Sequence, residues 1–162
     1  MANALLVAGA RESIEVALPA RAHLRPLLDS EREIVSSLYR QTYVATPHEM
    51  TEAEARDEID RTWAGEYGRL VMEATLGVWV GDELAGAIVT VQDPPWDDVP
   101  RGPFILDLFV HPAHRRTGLG RALVQTVQGT LRSGIALRVD DSAPEARSLY
   151  RALGFRPPAA AR

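Results

Sequence analysis

Basic and glycine residues are concentrated in one short stretch of the sequence, HPAHRRTGLGR, which follows an apolar run and precedes an amphipathic one. Gly118 and Gly120 let the backbone come close to a ligand, because no Cβ stands in the way. The first N–H groups of the helix that follows have no partner inside it, and the helix dipole is positive at that end. Three cations surround the same turn: Arg115, Arg116 and Arg121. The stretch therefore predicts a binding site for an anion, above all a phosphate.

Two common phosphate-binding loops do not fit this stretch. A Walker A loop ends in Gly-Lys-Ser or Gly-Lys-Thr, and no such ending occurs here. A dinucleotide-binding loop needs a third glycine at the position of Leu123. What remains is the pattern Arg-x-x-Gly-x-Gly, from Arg115 to Gly120, directly after an apolar strand.

Composition excludes several classes of protein. The chain has 162 residues, enough for one domain with its own core, and a net charge of −4, whereas nucleic-acid-binding domains usually carry a basic excess. It has no cysteine, which excludes a disulfide framework, a thiolate metal site and a covalent acyl-cysteine mechanism. No apolar run approaches the ~20 residues of a membrane span, and no secretory signal is visible. We expect a cytoplasmic protein that binds neither nucleic acid nor membranes.

The elements that position the glycine turn follow a readable order. Apolar patterning predicts a first strand that ends near Leu28, two helices, a hairpin, a central strand over 104–110, a helix, a strand and a last helix. Capping-box pairs mark the starts of the first two helices: Ser30 with Glu33, and Thr51 with Glu54. This order predicts a single α/β domain over residues 21–162, with a mixed central sheet flanked by helices.

Residues 1–20 form an N-terminal extension with two interpretations. Ile14, Val16 and Leu18 alternate with other residues, which predicts a short extra strand over 13–18 that ends at Pro19. The alternative is a loosely ordered extension. The sequence does not decide between the two.

A second motif, LRVDDSAPEARSLYRALGF, combines a strand, a polar turn and a helix that ends at Gly154 and Phe155. Together with the Arg-x-x-Gly-x-Gly turn, it resembles the GNAT (GCN5-related) N-acetyltransferase superfamily over roughly residues 21–156. The resemblance implies the GNAT fold, acetyl-CoA as cosubstrate, and transfer of its acetyl group to a primary amine. His111 and His114 have the spacing of metal ligands but lack a third ligand nearby, so no metal site is predicted.

The resemblance also implies where the cofactor binds. In the family, the central strand and the strand after the next helix separate, and the pantetheine arm pairs with the exposed backbone of the central strand. The pyrophosphate lies on the amides of the glycine turn. Carried over to this sequence, the cofactor-binding residues are Leu108, Phe109, Val110, Arg115, Arg116, Thr117, Gly118, Leu119, Gly120 and Arg121.

Two residues carry the predicted chemistry. The resemblance implies that Tyr150 protonates the departing thiolate, and a phenol with an ordinary pKa of about 10 can donate that proton. The alternative is a tyrosine that only packs in the core. Asp107, the one charge in the central strand, is the candidate base for the ammonium of the acceptor, and the alternative is a structural aspartate bound by backbone donors. Weaker candidates for the base are Glu83, Asp97 and Asp98.

The sequence departs from the family at two places. Many relatives have a cofactor-contacting Asn where this chain has Ala143, and the nearest substitutes are Ser142 and Asp141. The sequence also continues for only a few residues after Phe155, so the family's last strand is absent. Because a bare sheet edge invites aggregation, we expect residues 13–18, or a second subunit as in a homodimer, to cover that edge.

The predicted function is direct transfer of the acetyl group to a primary amine within a ternary complex. The alternative is an acyl-CoA-binding sensor or interaction module with little catalysis. The acceptor is expected to be a small-molecule or peptide amine, held between loop segments 42–50, 63–68 and 92–103, with Trp96 as a flat contact. The acids and aromatic residues of these loops suit a cationic amine.

Overall fold

The computed structural model describes residues 3–12 and 14–160, and these residues form one sheet of seven strands. The strands are β1 (Asn3–Ala8), β2 (Ala22–Pro26), β3 (Arg69–Leu70), β4 (Leu76–Val80), β5 (Glu83–Gln92), β6 (Pro103–Val110) and β7 (Ile135–Asp140). Their order across the sheet is β1-β7-β6-β5-β4-β2, and the short β3 pairs with β5. Strands β6 and β7 are parallel, and the other pairings are antiparallel. The predicted mixed α/β fold is confirmed.

Helices cover both faces of this sheet. In the described part of the chain the α-helices are α1 (Arg32–Thr42), α2 (Glu52–Trp63), α3 (Leu119–Leu131) and α4 (Pro144–Ala152). Helices α1 and α2 pack on one face, where Val35 and Ile59 join Phe109 of β6 in one apolar cluster. Helices α3 and α4 pack on the other face, where Leu123 and Tyr150 join the larger core. The central strand β6 is therefore covered on both sides.

The two predicted capping boxes have different outcomes. The box of α2 is confirmed, because Thr51 Oγ1 accepts from the N–H of Glu54 at 3.1 Å and the Glu54 carboxylate accepts from the N–H of Thr51 at 2.7 Å. The box predicted for α1 is wrong. A 3₁₀ turn over Asp29–Glu31 precedes the helix, and Glu31 accepts from the N–H of Leu28 at 2.8 Å. An ion pair of Glu31 with Arg25 of β2 holds this earlier start in place.

The extra N-terminal strand exists, but it lies earlier than predicted. Residues 14–18 have no regular structure and Ser13 lies outside the described residues, so the strand predicted over 13–18 is wrong. Instead, β1 pairs with β7 from Asn3 opposite Asp140 to Ala8 opposite Ile135. The reason is burial: Leu6 of β1 is 6% exposed, whereas Leu18 is 37% exposed. The expectation that some segment covers the sheet edge is thus met by the chain's own β1.

Candidate active site

Strands β6 and β7 diverge after a short parallel contact. Phe104 pairs with Ala136 and Ile105 with Leu137, and beyond these two pairs the strands separate. The backbone of β6 from residue 106 onward therefore has no strand partner on that side within the described chain. Unpaired backbone donors and acceptors of this kind can pair with an extended, amide-bearing ligand.

The glycine turn lies at the C-terminal end of the same strand. Within the described residues, the backbone N–H groups from Arg116 to Arg121 have no hydrogen-bond acceptor. Gly118 is the N-cap of α3 and has a φ of 86°, which a glycine adopts without strain. A cleft of about 600 Å³ opens here between the turn and the start of α4, lined by Gly118, Pro144 and Ser148. Free amides at a helix start fit a phosphate, so the turn and the open β6 edge together could hold a ligand with a phosphate group and an extended, amide-bearing arm.

Arg115 and Arg116, two of the three arginines of the turn, make different contacts. Arg115 donates to the carbonyl oxygen of Thr42 at 3.0 Å and to that of Val110 at 3.4 Å, so it ties the end of α1 to the end of β6. Arg116 lies 3.7 Å from Glu145 in an exposed ion pair. The geometry thus presents backbone amides to a phosphate, with Arg115 bracing the turn from behind.

A β-bulge decides where Asp107 points. Val89 of β5 pairs with Asp107, but the next residue, Thr90, pairs with Ile105, so Leu106 is an extra residue in β6. Without the bulge, strict alternation would place Asp107 on the same face as Ile105, beneath α3. With it, Leu106 and Asp107 both line a cavity on the α1–α2 face. Bulges often re-aim a side chain in this way next to active sites.

This cavity, which we call the acceptor pocket, has a volume of about 200 Å³. It lies between the central strand β6, helices α1 and α2, and loop segment 92–103, which contains four prolines. Its polar and aromatic lining consists of Tyr39, Glu58, Thr62, Tyr67, Trp96, Asp107 and Phe109. Trp96 and Asp107 were singled out by the sequence, and the structure brings them to one cavity. Of the other candidate bases, Asp98 pairs with Arg138 and Glu83 lies 3.5 Å from His114, away from this pocket.

The environment of Asp107 raises the pKa of its carboxyl to about 7. Burial is the main cause, the negative charge of Glu58 adds to it, and a hydrogen bond from the backbone of Leu108 opposes it. A carboxyl group with a pKa near 7 exchanges its proton readily at neutral pH, which is the property that a general base needs. The pKa of Tyr39 is raised mainly by burial and secondarily by the charge of Asp107, and that of Tyr43 mainly by the charge of Asp107 and secondarily by burial.

Tyr150 lies in α4 on the opposite face of the sheet and is 7% exposed. Its ring meets Phe155 edge to face at 5.7 Å, and its hydroxyl has no hydrogen-bond partner among the described residues. Burial, and secondarily the charge of Asp107, raise the pKa of this phenol. Tyr150 is therefore protonated at neutral pH, as a proton donor must be, and it is a weaker acid than a solvent-exposed phenol.

Sequence reasoning missed Glu58 and Tyr43 and treated Tyr39 only as a packing residue. Glu58 flanks the buried stripe of α2, formed by Ala55, Ile59 and Thr62. An acid at the border of an apolar stripe was the available signal, but such residues are usually solvated. Their proximity to Asp107 depends on the bulge, which the sequence pattern does not reveal.

The turn before α4 lacks a side-chain cap, as Ala143 implies. The Ser142 hydroxyl donates to Asp140 at 2.7 Å, and Asp141 pairs with Arg147 at 3.1 Å. Both substitutes for the family's Asn are thus engaged within the turn. A cofactor contact at this point would come from the backbone.

The two histidines of the HPAH segment have local roles. His111 Nδ1 accepts from the N–H of Ala113 at 3.0 Å, and the rings of His111 and His114 are 5.9 Å apart. Residues 3–12 and 14–160 contain no cluster of three or more acidic or histidine side chains that would hold a metal ion. None of the described helices is both long and apolar enough to cross a bilayer.

The chain belongs to the acetyltransferase (GNAT) family, whose model matches residues 32–155. Its fold is similar to that of PH1933 from Pyrococcus horikoshii OT3, with 22% identity and a TM-score of 0.69 over 87% of this chain and 92% of that one. The ribosomal-protein-S18-alanine N-acetyltransferase from Escherichia coli is 20% identical, with a TM-score of 0.59 over 83% of this chain and 77% of its own.

A third similar structure is an aminoglycoside N-acetyltransferase in complex with CoA, at 16% identity and a TM-score of 0.64 over 91% of this chain and 96% of that one. At these identities the likeness is one of fold. No curated protein sequence matches this chain.

Proposed function

We propose that the protein is an acetyl-CoA-dependent N-acetyltransferase that acts on a primary amine by direct transfer. The observation that carries this proposal is the position of Asp107, a carboxyl group with a pKa of about 7 in a pocket beside the open edge of β6. One side of the central strand offers backbone to a cofactor, and the other offers a base to an acceptor. The family supports the reaction type, and acetyl-CoA supplies the acetyl group as a thioester.

In this proposal Asp107 acts as the base and Tyr150 acts as the acid. Asp107 accepts the proton that the acceptor ammonium must lose, directly or through a water. The amine nitrogen then bonds to the acetyl carbon, and it loses its second proton as the carbon–sulfur bond breaks. Tyr150 gives its proton to the departing sulfur, and the proton lost by the nitrogen returns through water to the phenolate, whose raised pKa favours its capture. The free amides of Arg116–Arg121 hold the pyrophosphate, and the open backbone of Leu108–Val110 orients the arm that bears the thioester.

A thiol-release assay with acetyl-CoA and a panel of amines tests this function. Release should require an amine, and kcat/KM should rise with pH through about 7, as Asp107 loses its proton. The chain contains no lysine, so release without an acceptor cannot come from acetylation of its own lysine side chains. Mass spectrometry of the product should show one added acetyl group on the amine.

The second candidate is an acyl-CoA-binding module without efficient turnover. The uncapped turn at Ala143 favours it, because one side-chain contact to the cofactor is missing. Measurable acetyl-CoA binding without thiol release for any amine would favour this candidate and would contradict the enzyme. Thiol release that depends on the amine would contradict the binding module.

A further inference from the structure

The acceptor pocket contains a second carboxylate, Glu58, which the proposed reaction does not use. Its side chain is 37% exposed and lines the same cavity as Asp107. Burial is the main cause of the raised pKa of Asp107 and of Tyr39, and the negative charge of Glu58 adds to it at both residues, so Glu58 acts on the interior of the pocket. A carboxylate in this place favours an acceptor that carries a positive charge close to it.

The neighbours of Glu58 leave part of its charge unpaired. Its Oε2 atom accepts from the Tyr67 hydroxyl at 3.1 Å and lies 3.6 Å from Arg61. Arg61, however, makes two shorter bonds to Glu66, at 2.7 and 2.6 Å. The Oε1 atom of Glu58 has no hydrogen bond within the described residues. One carboxylate oxygen is therefore available to a cationic donor.

The rest of the pocket lining determines which charge and which size of acceptor the pocket can bind. The pocket is lined by two carboxylates and, among the described residues, by no arginine, lysine or histidine. A carboxylate on the acceptor would meet two like charges and no partner, whereas an ammonium is attracted to both. The volume of about 200 Å³ corresponds to roughly seven waters at about 30 Å³ each, which is room for a short chain.

One wall of the pocket is a stack of aromatic rings held by arginines. Tyr67 and Trp96 stack at 6.3 Å with an angle of 26° between their planes. Arg61 lies 5.4 Å from the centre of the Tyr67 ring, and Arg138 lies 5.2 Å from that of Trp96. Arg138 is itself paired with Asp98. This wall is preorganised, and its apolar ring surface suits the methylene groups of an aliphatic chain.

We propose that the acceptor is a short aliphatic diamine, whose reacting nitrogen lies at Asp107 and whose second ammonium group is bound by Glu58. This substrate class rests on the proposed acetyltransferase function. Glu58 is then a residue that determines specificity and takes no part in proton transfer.

Three amines of similar length test the proposal: putrescine, n-butylamine and γ-aminobutyrate. They carry an ammonium, a methyl or a carboxylate group at the end that does not react. The wild-type protein should prefer putrescine to n-butylamine by about tenfold in kcat/KM, beyond the factor of about two for its two reactive nitrogens. γ-Aminobutyrate should be the poorest acceptor.

The Glu58→Gln variant removes the charge but keeps an oxygen that accepts from Tyr67. It should lower kcat/KM for putrescine by about tenfold more than for n-butylamine, which abolishes the preference. Asp57→Asn is the matched control, because Asp57 is the exposed neighbour on the same helix and lies outside the pocket lining. It should retain the preference for putrescine.

The outcomes separate the two proposals. No thiol release with any of the three amines, while another amine of the panel is acetylated, would overturn only the diamine proposal. No release with any amine of the panel, despite acetyl-CoA binding, would overturn the proposed acetyltransferase function as well. Turnover of n-butylamine at least as efficient as that of putrescine would overturn only the diamine proposal. An unchanged preference in Glu58→Gln, or an equal loss in Asp57→Asn, would also overturn the role of Glu58.

Discussion

Asp107 destabilises the folded protein at neutral pH, where its carboxylate can act as a base. Its pKa is raised to about 7 mainly because the pocket removes water from the carboxyl group. The folded state therefore binds the proton more tightly than the unfolded chain, in which an aspartate has a pKa of about 3.9. The desolvation that tunes the base also destabilises the fold whenever the carboxyl is ionised.

The Asp107→Asn variant should therefore be more stable than the wild-type protein at neutral pH. Below about pH 4, Asp107 is protonated in both states and the two proteins should have similar free energies of unfolding. The difference in the free energy of unfolding between the two proteins should grow as the pH rises from about 4 to about 7 and then stay constant. It should reach about 2 kcal/mol, because the residue is half-buried and solvent reaches part of it. Urea unfolding across this pH range measures it, and a gap that does not vary with pH would contradict the raised pKa.

At the scale of elements, two local deviations from regular structure create the site. The bulge at Leu106 turns Asp107 into the acceptor pocket, and the left-handed Gly118 begins α3 so that its first amides are free. Both are places where the backbone departs from the pattern that the rest of the sequence follows.

The conformation of Gly118 can be tested against a second glycine of the same helix. A Cβ at Gly118 would have open space, but its φ of 86° is strained for alanine, so Gly118→Ala should cost about 1 kcal/mol and weaken acetyl-CoA binding. Gly129 in the interior of α3 also has open space and no positive φ, so Gly129→Ala should stabilise by about 0.5–1 kcal/mol. Urea unfolding gives both values, and equal shifts in the same direction would contradict the account.

The elements themselves were largely predictable, and the reason is periodicity. The hairpin, the central strand, α3 and α4 bury regular apolar stripes, and the two motifs identify the turn and Tyr150. The bulge was not predictable, because an extra residue in a strand that is apolar on both faces leaves the pattern unchanged. Glu58 and Tyr39 come from helices that meet Asp107 only through tertiary packing, so no local signal marks them.

At the scale of the whole molecule, the two ends of the described chain meet at one sheet edge. Strand β1 covers β7, and its outer side receives one further bridge, in which Val7 and Arg156 exchange two hydrogen bonds of 2.8 Å. Because Ile14, Val16 and Leu18 alternate like a strand, a strand over 13–18 was one of the two interpretations of the N-terminal extension, and the observed strand begins ten residues earlier. Leu6 and Ala8 gain more burial, and burial decided which segment pairs.

Two proline substitutions in β1 test this edge. Val7→Pro removes the N–H that donates to Arg156, whereas the N–H of Leu5 points to the same outer side, where no described strand pairs with it. Both side chains are half-buried in the same cluster. Val7→Pro should therefore cost about 1–2 kcal/mol more than Leu5→Pro in urea unfolding. Equal costs would show that the bridge to Arg156 contributes nothing.

The most direct test of the central claim is the turnover of Tyr150→Phe with acetyl-CoA and an accepted amine. The variant lacks only the phenol hydroxyl proposed to protonate the thiolate, so kcat should fall by about a hundredfold while the acetyl-CoA dissociation constant changes less than about twofold. Tyr43→Phe is the comparison with the rival acid, because the charge of Asp107 also raises the pKa of Tyr43. Full turnover in Tyr150→Phe, or a hundredfold loss in Tyr43→Phe instead, would contradict the assignment of Tyr150 as the acid.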